Sequence, residues 1–144
     1  MIDQQQSYRS ATGMTFEQML EQVRYEGVYA TRAQAEQVVR AVLAALGRQL
    51  TGEERVELAA RLPYEAAVTF TSQVPAMEPL TGWGFVKDLA SRTGGSLATT
   101  RWDAGTVLRI VARLAGDDLL TRVLDELPPG YALLFGRAEL TQAA

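Results

Sequence analysis

Two stretches of this chain repeat each other, and an internal repeat constrains the fold more than any local motif. Phe16-Glu17-Gln18-Met19-Leu20 aligns with Phe85-Val86-Lys87-Asp88-Leu89. The same offset carries Thr31-Arg32-Ala33-Gln34-Ala35 onto Thr100-Arg101-Trp102-Asp103-Ala104, Val38 onto Val107 and Val42 onto Val111. Leu62-Pro63 then matches Leu127-Pro128, and Phe70 matches Phe135, at an offset shorter by four residues. Gly52-Glu53-Glu54 resembles Gly116-Asp117-Asp118, a match that would shorten the second long helix of the second copy.

Each copy reads as helices. Phe16, Met19, Leu20 and Val23 recur at the three- and four-residue spacing of one buried helical face. Thr15-Phe16-Glu17-Gln18 and Thr31-Arg32-Ala33-Gln34 have the form of capping boxes, in which side chains satisfy the orphan amides of a helix start. Thr51-Gly52-Glu53-Glu54 is a third such box. The second helix points Val38, Val39, Val42, Ala45, Leu46 and Leu50 inward, and the third Val56, Ala59, Ala60 and Leu62. Pro63 suits the first turn of a short fourth helix, where its missing N–H costs nothing. In the second copy Phe85, Leu89, Val107, Val111, Leu114, Leu120, Val123, Leu124, Leu127, Tyr131, Leu134 and Phe135 take the core positions. No sustained apolar–polar alternation argues for a strand.

The expected architecture is therefore all-α: a single domain of two tandem pseudo-symmetric helical repeats, about four helices each, packed about a pseudo-twofold axis. Repeat one spans 15–70 and repeat two 83–136. The connector, 71–82, contains Pro75 and Pro79 and breaks any helix. Residues 1–13 and 137–144 lack a periodic pattern and are expected to be tails around a domain at 14–136.

The run Phe16-x-x-x-Leu20, Gly27-Val28, Thr31-Arg32-x-Gln34-Ala35-Glu36, Arg40-Ala41-Val42-Leu43 and Leu46-Gly47, followed by the Leu-Pro corners and their later aromatics, resembles the bacterial domain of unknown function family 2267. The resemblance covers about residues 14–136 and is clearest over 16–63; the second copy lacks the full Arg-Ala-Val-Leu stretch. It implies an all-α duplicated fold and no activity, cofactor or catalytic residue.

Composition narrows the chemistry. The 144 residues include no Cys and no His, which excludes disulfides, thiolate nucleophiles, imidazole bases, Ser-His-Asp triads and the usual transition-metal sites. The formal net charge is −3, with bases and acids mixed in both halves, so no basic footprint for a phosphate backbone is visible. The polar, slightly acidic start Met1-Ile2-Asp3-Gln4-Gln5-Gln6 is unlike a signal peptide, and no apolar run approaches a membrane span, so a cytoplasmic address is expected.

Five features could carry function. Glu53-Glu54 and Asp117-Asp118 could hold a hard cation, but carboxylates at helix starts also answer the helix dipole, and adjacent helical residues diverge by about 100°. Thr93-Gly94-Gly95-Ser96 lacks the Lys of a phosphate loop and reads as a helix end, with Thr99 or Thr100 starting the next helix. Tyr25 and Tyr29 flank the first corner, rings inward and hydroxyls in water. Trp102, where the first copy has Ala33, and Trp83 are candidate anchors for a partner, against the plainer reading that they cover the connector or the core between the copies. Arg32 and Arg101, related by the repeat, could make an anion site at two helix N-termini or simply lie along a solvated face. The reading that results is a non-catalytic helical module whose partner is another protein or a second copy of itself, with Trp102, Trp83, Arg101 and Arg32 as its candidate surface. The alternative is a small-ligand carrier or sensor with an apolar pocket between the repeats. Neither nucleic acid, membrane nor cofactor is expected.

Overall fold

A computed structural model describes residues 13–137, so the tails expected at 1–13 and 137–144 lie almost wholly outside the described residues. Among the described residues seven helices follow one another: α1 (Phe16–Gly27), α2 (Arg32–Gly47), α3 (Gly52–Arg61), α4 (Tyr64–Thr71), α5 (Gly82–Thr93), α6 (Leu97–Glu126) and α7 (Tyr131–Leu134). Among the described residues there is no strand, and no helix is long and apolar enough to cross a membrane.

Hydroxyl side chains set most of the helix starts. Thr15, Thr31, Thr81 and Ser96 each accept the N–H three residues on, from Gln18, Gln34, Gly84 and Thr99. Thr15 closes a full capping box because Gln18 Oε1 reaches back to its N–H at 2.9 Å. At Thr31 only half the box forms, since Gln34 Oε1 takes the N–H of Ala30 instead. The box expected at Thr51 does not form: its side chain makes no cap bond, and the chain enters α3 through Gly52 at φ 74. α6 starts one turn earlier than expected, because Ser96 and not Thr99 or Thr100 caps it. Its 30 residues are two helical segments that meet at a kink at Gly116, whose φ 82 and ψ 163 are not helical, so the helix expected to open at Gly116-Asp117-Asp118 does begin there. Arg61 of α3 closes that break by donating to the Ala115 carbonyl at 2.7 Å.

One hydrophobic core runs through both halves of the chain. Phe16, Met19, Leu20 and Val23 are buried as the spacing predicts, and so are the core positions expected from Phe85 to Phe135, with Leu114 only partly covered. α3 is rotated from its expected face: Val56 is 69% exposed and Ala60 exposed, while Leu58 is buried. The cause is Arg55, which shares the inner stripe with Leu58 and Leu62. Its guanidinium donates to the carbonyls of Gly47, Leu50 at 2.8 Å, Thr71 at 3.3 Å and Gln73 at 2.7 Å, and lies 5.4 Å from the Phe70 ring centre. One cation thus closes the carbonyl ends of α2 and α4. Beyond α4 the chain runs without helix to Thr81, held by Ala76 N–H on the Arg48 carbonyl (2.7 Å) and Leu80 N–H on Gln49 Oε1 (2.9 Å).

Candidate functional site

The chain is most unusual where α1 ends. Val28 sits at φ 57, ψ 44, the left-handed region, and is the only non-glycine residue with positive φ among those described. Its conformation lets Val28 N–H bond the Tyr25 carbonyl (3.3 Å) and Tyr29 N–H bond that of Arg24 (2.9 Å), closing the helix. Glycine normally fills such a position, since a Cβ there costs about 1–2 kcal/mol and β-branching adds to it. Val28 is nevertheless 81% exposed, so no burial of its side chain offsets the cost.

Two consecutive residues of α6 brace this corner. Trp102 Nε1–H donates to the Gly27 carbonyl at 3.0 Å, and the Tyr29 hydroxyl donates to Asp103 Oδ1. Gly27 makes room for the brace: a Cβ there would stand 2.1 Å from the Tyr29 ring. Burial, and then the neighbouring Asp103, push the Tyr29 hydroxyl above the ordinary tyrosine range, so it stays a neutral donor. Burial also raises the Asp103 carboxyl, an effect the Tyr29 hydrogen bond partly offsets.

Asp103 also lines a cleft of about 170 Å³. α2 contributes Gln37, Val38, Ala41 and Val42, α5 contributes Leu89 and Thr93, and α6 adds Thr100 beside Asp103. Tyr29 and Asp103 therefore join an exposed, strained corner to a small cleft lined by aliphatic side chains, an amide, two hydroxyls and a carboxylate. Such an arrangement can hold and orient a ligand or a partner.

Of the residues singled out from sequence, Trp102 belongs to this site. It is about half exposed, and its indole N–H is spent on Gly27. Trp83 lies in the first turn of α5, 59% exposed, and does not cover the core. The paired anion site of Arg32 and Arg101 is not formed. Arg32 opens α2 and reaches Glu21 at 3.5 Å, but the earlier start of α6 leaves Arg101 a turn inside the helix, folded back towards Gly105. Three acids of the two pairs face arginines: Arg122 meets Asp118 at 3.2 Å and Glu54 at 3.7 Å, besides Glu57 at 2.6 Å, and Arg137 meets Asp117 at 3.7 Å. Gly94 ends α5 in the left-handed conformation, as the glycine run predicts. Tyr25 is 74% exposed, ring outward, and the Tyr29 hydroxyl is bonded to Asp103, so neither tyrosine sits as expected. Asp103 and the left-handed Val28 were not anticipated. Gly27 signals a helix end, but the residue that takes the special conformation is its neighbour.

No curated protein and no solved structure matches the chain. A family model described as "Uncharacterized conserved protein (DUF2267)" matches residues 16–134, from the first residue of α1 to the last of α7. The helical domain, with its braced corner and its cleft, belongs to the DUF2267 family.

Proposed function

We propose that the domain is a non-catalytic binding module that presents the α1–α2 corner to another protein. The observation that carries this reading is Val28: a β-branched residue held in a left-handed conformation with its side chain in solvent. Strain of this kind persists only where the surroundings enforce it, and it concentrates at sites of recognition and switching. Tyr25 and Trp102 add exposed aromatic area at the same corner, the residue types that anchor protein interfaces with few rotamers to freeze. The test is Val28→Gly, which removes the side chain and relieves the strain together. With a photo-crosslinking residue at Tyr25, wild type should trap a defined partner or a second copy, and Val28→Gly should lose it while melting no lower. An unchanged cross-linking pattern in a well-folded variant overturns the reading.

A second reading, a carrier of a small ligand, is supported by the cleft between α2, α5 and α6.

We also infer that the domain is a duplication, α1–α4 being one unit and α5–α7 the other, with α6 counted as two segments. Its support is local geometry. Leu62 and Leu127 end their helices at φ −92, ψ 152 and φ −89, ψ 150, and Gly52 and Gly116 share a left-handed φ before the acid pairs.

A further inference from the structure

Seven carboxylates in the described structure are half-buried: Glu21, Glu26, Glu36, Glu54, Glu57, Asp88 and Asp103. The first six each lie within 4.0 Å of an arginine nitrogen, on Arg24, Arg113, Arg40, Arg122, Arg122 and Arg92. Asp103 has no such partner among the described residues, and its one hydrogen-bonding neighbour is the neutral Tyr29 hydroxyl. If Asp103 served only to receive that hydroxyl, an asparagine would do so without withdrawing a negative charge from water. The charge itself needs another account, and the cleft beside it supplies one.

We propose that the cleft between α2, α5 and α6 binds a small organic cation, its ammonium group on Asp103 and its aliphatic part against Val38, Val42 and Leu89. An ammonium has three donors. Asp103 takes one, and the hydroxyl oxygens of Thr93 and Thr100, which line the same cleft, are the acceptors for the others. The Thr93 hydroxyl already donates its proton to the Leu89 carbonyl at 3.0 Å, which leaves its oxygen lone pairs to accept. A volume of about 170 Å³ equals roughly six waters at liquid density, enough for a short alkyl chain and too small for a nucleotide or a folded peptide. A hard metal ion is a poorer fit, because calcium and magnesium collect several oxygen ligands and one carboxylate is present. An anion is repelled by the same charge.

This inference rests on the second reading above, and one titration separates the two. Methyl resonances of Val38, Val42 and Leu89 are followed in the full chain as n-butylammonium chloride, and separately 1-butanol, is added. The expected result is saturable shifts with n-butylammonium, at least tenfold weaker binding of the alcohol, and a similar loss of n-butylammonium binding in Asp103→Asn. Equal binding of alcohol and amine by wild type overturns the cation assignment and leaves the cleft as a neutral apolar site. That comparison needs no variant, so it decides even if Asp103→Asn fails to fold. No shift of these methyls with either compound overturns the cleft reading as well.

Discussion

α1 and α5 finish in the same way with different residues. Each chain turn passes through the left-handed region, at φ 57 and ψ 44 for Val28 and at φ 78 and ψ 11 for Gly94. Gly94 adopts it without steric cost, and an added Cβ there would meet nothing within 4 Å. Val28 adopts it because Trp102 fastens the carbonyl just before it and Tyr29, just after it, is fastened to Asp103. An inexpensive residue was available for the geometry, and the α5 corner uses it. The difference separates two jobs that a helix end can do: the α5 corner only turns the chain, whereas the α1 corner spends stability to hold an apolar side chain in solvent.

The comparison breaks most visibly at Gly27. Gly27→Ala drives a Cβ to within 2.1 Å of the Tyr29 ring, which must swing out and give up Asp103. We expect a loss of about 3 kcal/mol in urea unfolding, near the upper range for overpacking. Thr93→Ala, at the corresponding place before Gly94, should change stability by no more than about 0.5 kcal/mol. Similar losses at the two positions would mean that the α1 corner is no tighter than its counterpart.

Gly94→Val is the next largest effect and isolates the backbone contribution, since its side chain would stand in open space. A loss of about 2 kcal/mol is expected from the left-handed valine alone. The converse, Val28→Gly, should stabilise by about 1 kcal/mol, the relieved strain being reduced by the greater freedom of glycine in the unfolded chain. If Val28→Gly destabilises, the valine is held by packing and the strain argument fails.

Much of the frame could be read from spacing because the core positions are apolar at helical intervals, and Phe16, Met19, Leu20, Val23, Phe85, Val107 and Val111 are all buried. Periodicity failed where a polar residue occupies the inner stripe. Arg55 turns α3 so that Val56 faces solvent, and no hydrophobic pattern can anticipate an arginine recruited by several loose carbonyls at once. The site was only half legible. Trp102 stands out against Ala33 under the proposed duplication, but its role depends on the Gly27 carbonyl, far away in sequence. Asp103 carries no local signal, because its partner Tyr29 is far away in sequence and the cleft it lines is built with α2 and α5. Val28 was invisible because left-handed strain is imposed from outside the local sequence.

The brace can be loosened with less effect than the corner itself. Trp102→Phe keeps most of the ring and removes the indole N–H, leaving the Gly27 carbonyl to water. Thermal unfolding should report a loss of about 1 kcal/mol, the net worth of one hydrogen bond. Paired with Val28→Gly, the same substitution should cost less, since a relaxed corner no longer needs holding. Strict additivity of the two would show that Trp102 does not support the strained residue.

The smallest effect concerns charge, and here too the two halves differ. The proposed duplication would set Asp103 opposite Gln34, a neutral residue whose oxygen accepts the Ala30 N–H. Burial raises the folded carboxyl of Asp103 above its ordinary 3.8. Below that value both folded and unfolded chains carry the proton, and the favourable contribution of the protonated group is fully present. As pH rises through the higher folded value, the native state must release a proton it binds more tightly than the unfolded chain does, and that contribution is lost. Asp103→Asn removes this titration while leaving an oxygen for the Tyr29 hydroxyl. The variant should therefore be slightly more stable than wild type at pH 7, with the advantage shrinking as the melts are repeated towards pH 3. A gap that widens in acid would place a cation beside Asp103 in the free protein, and the carboxylate would then be satisfied from within, as its six half-buried counterparts are.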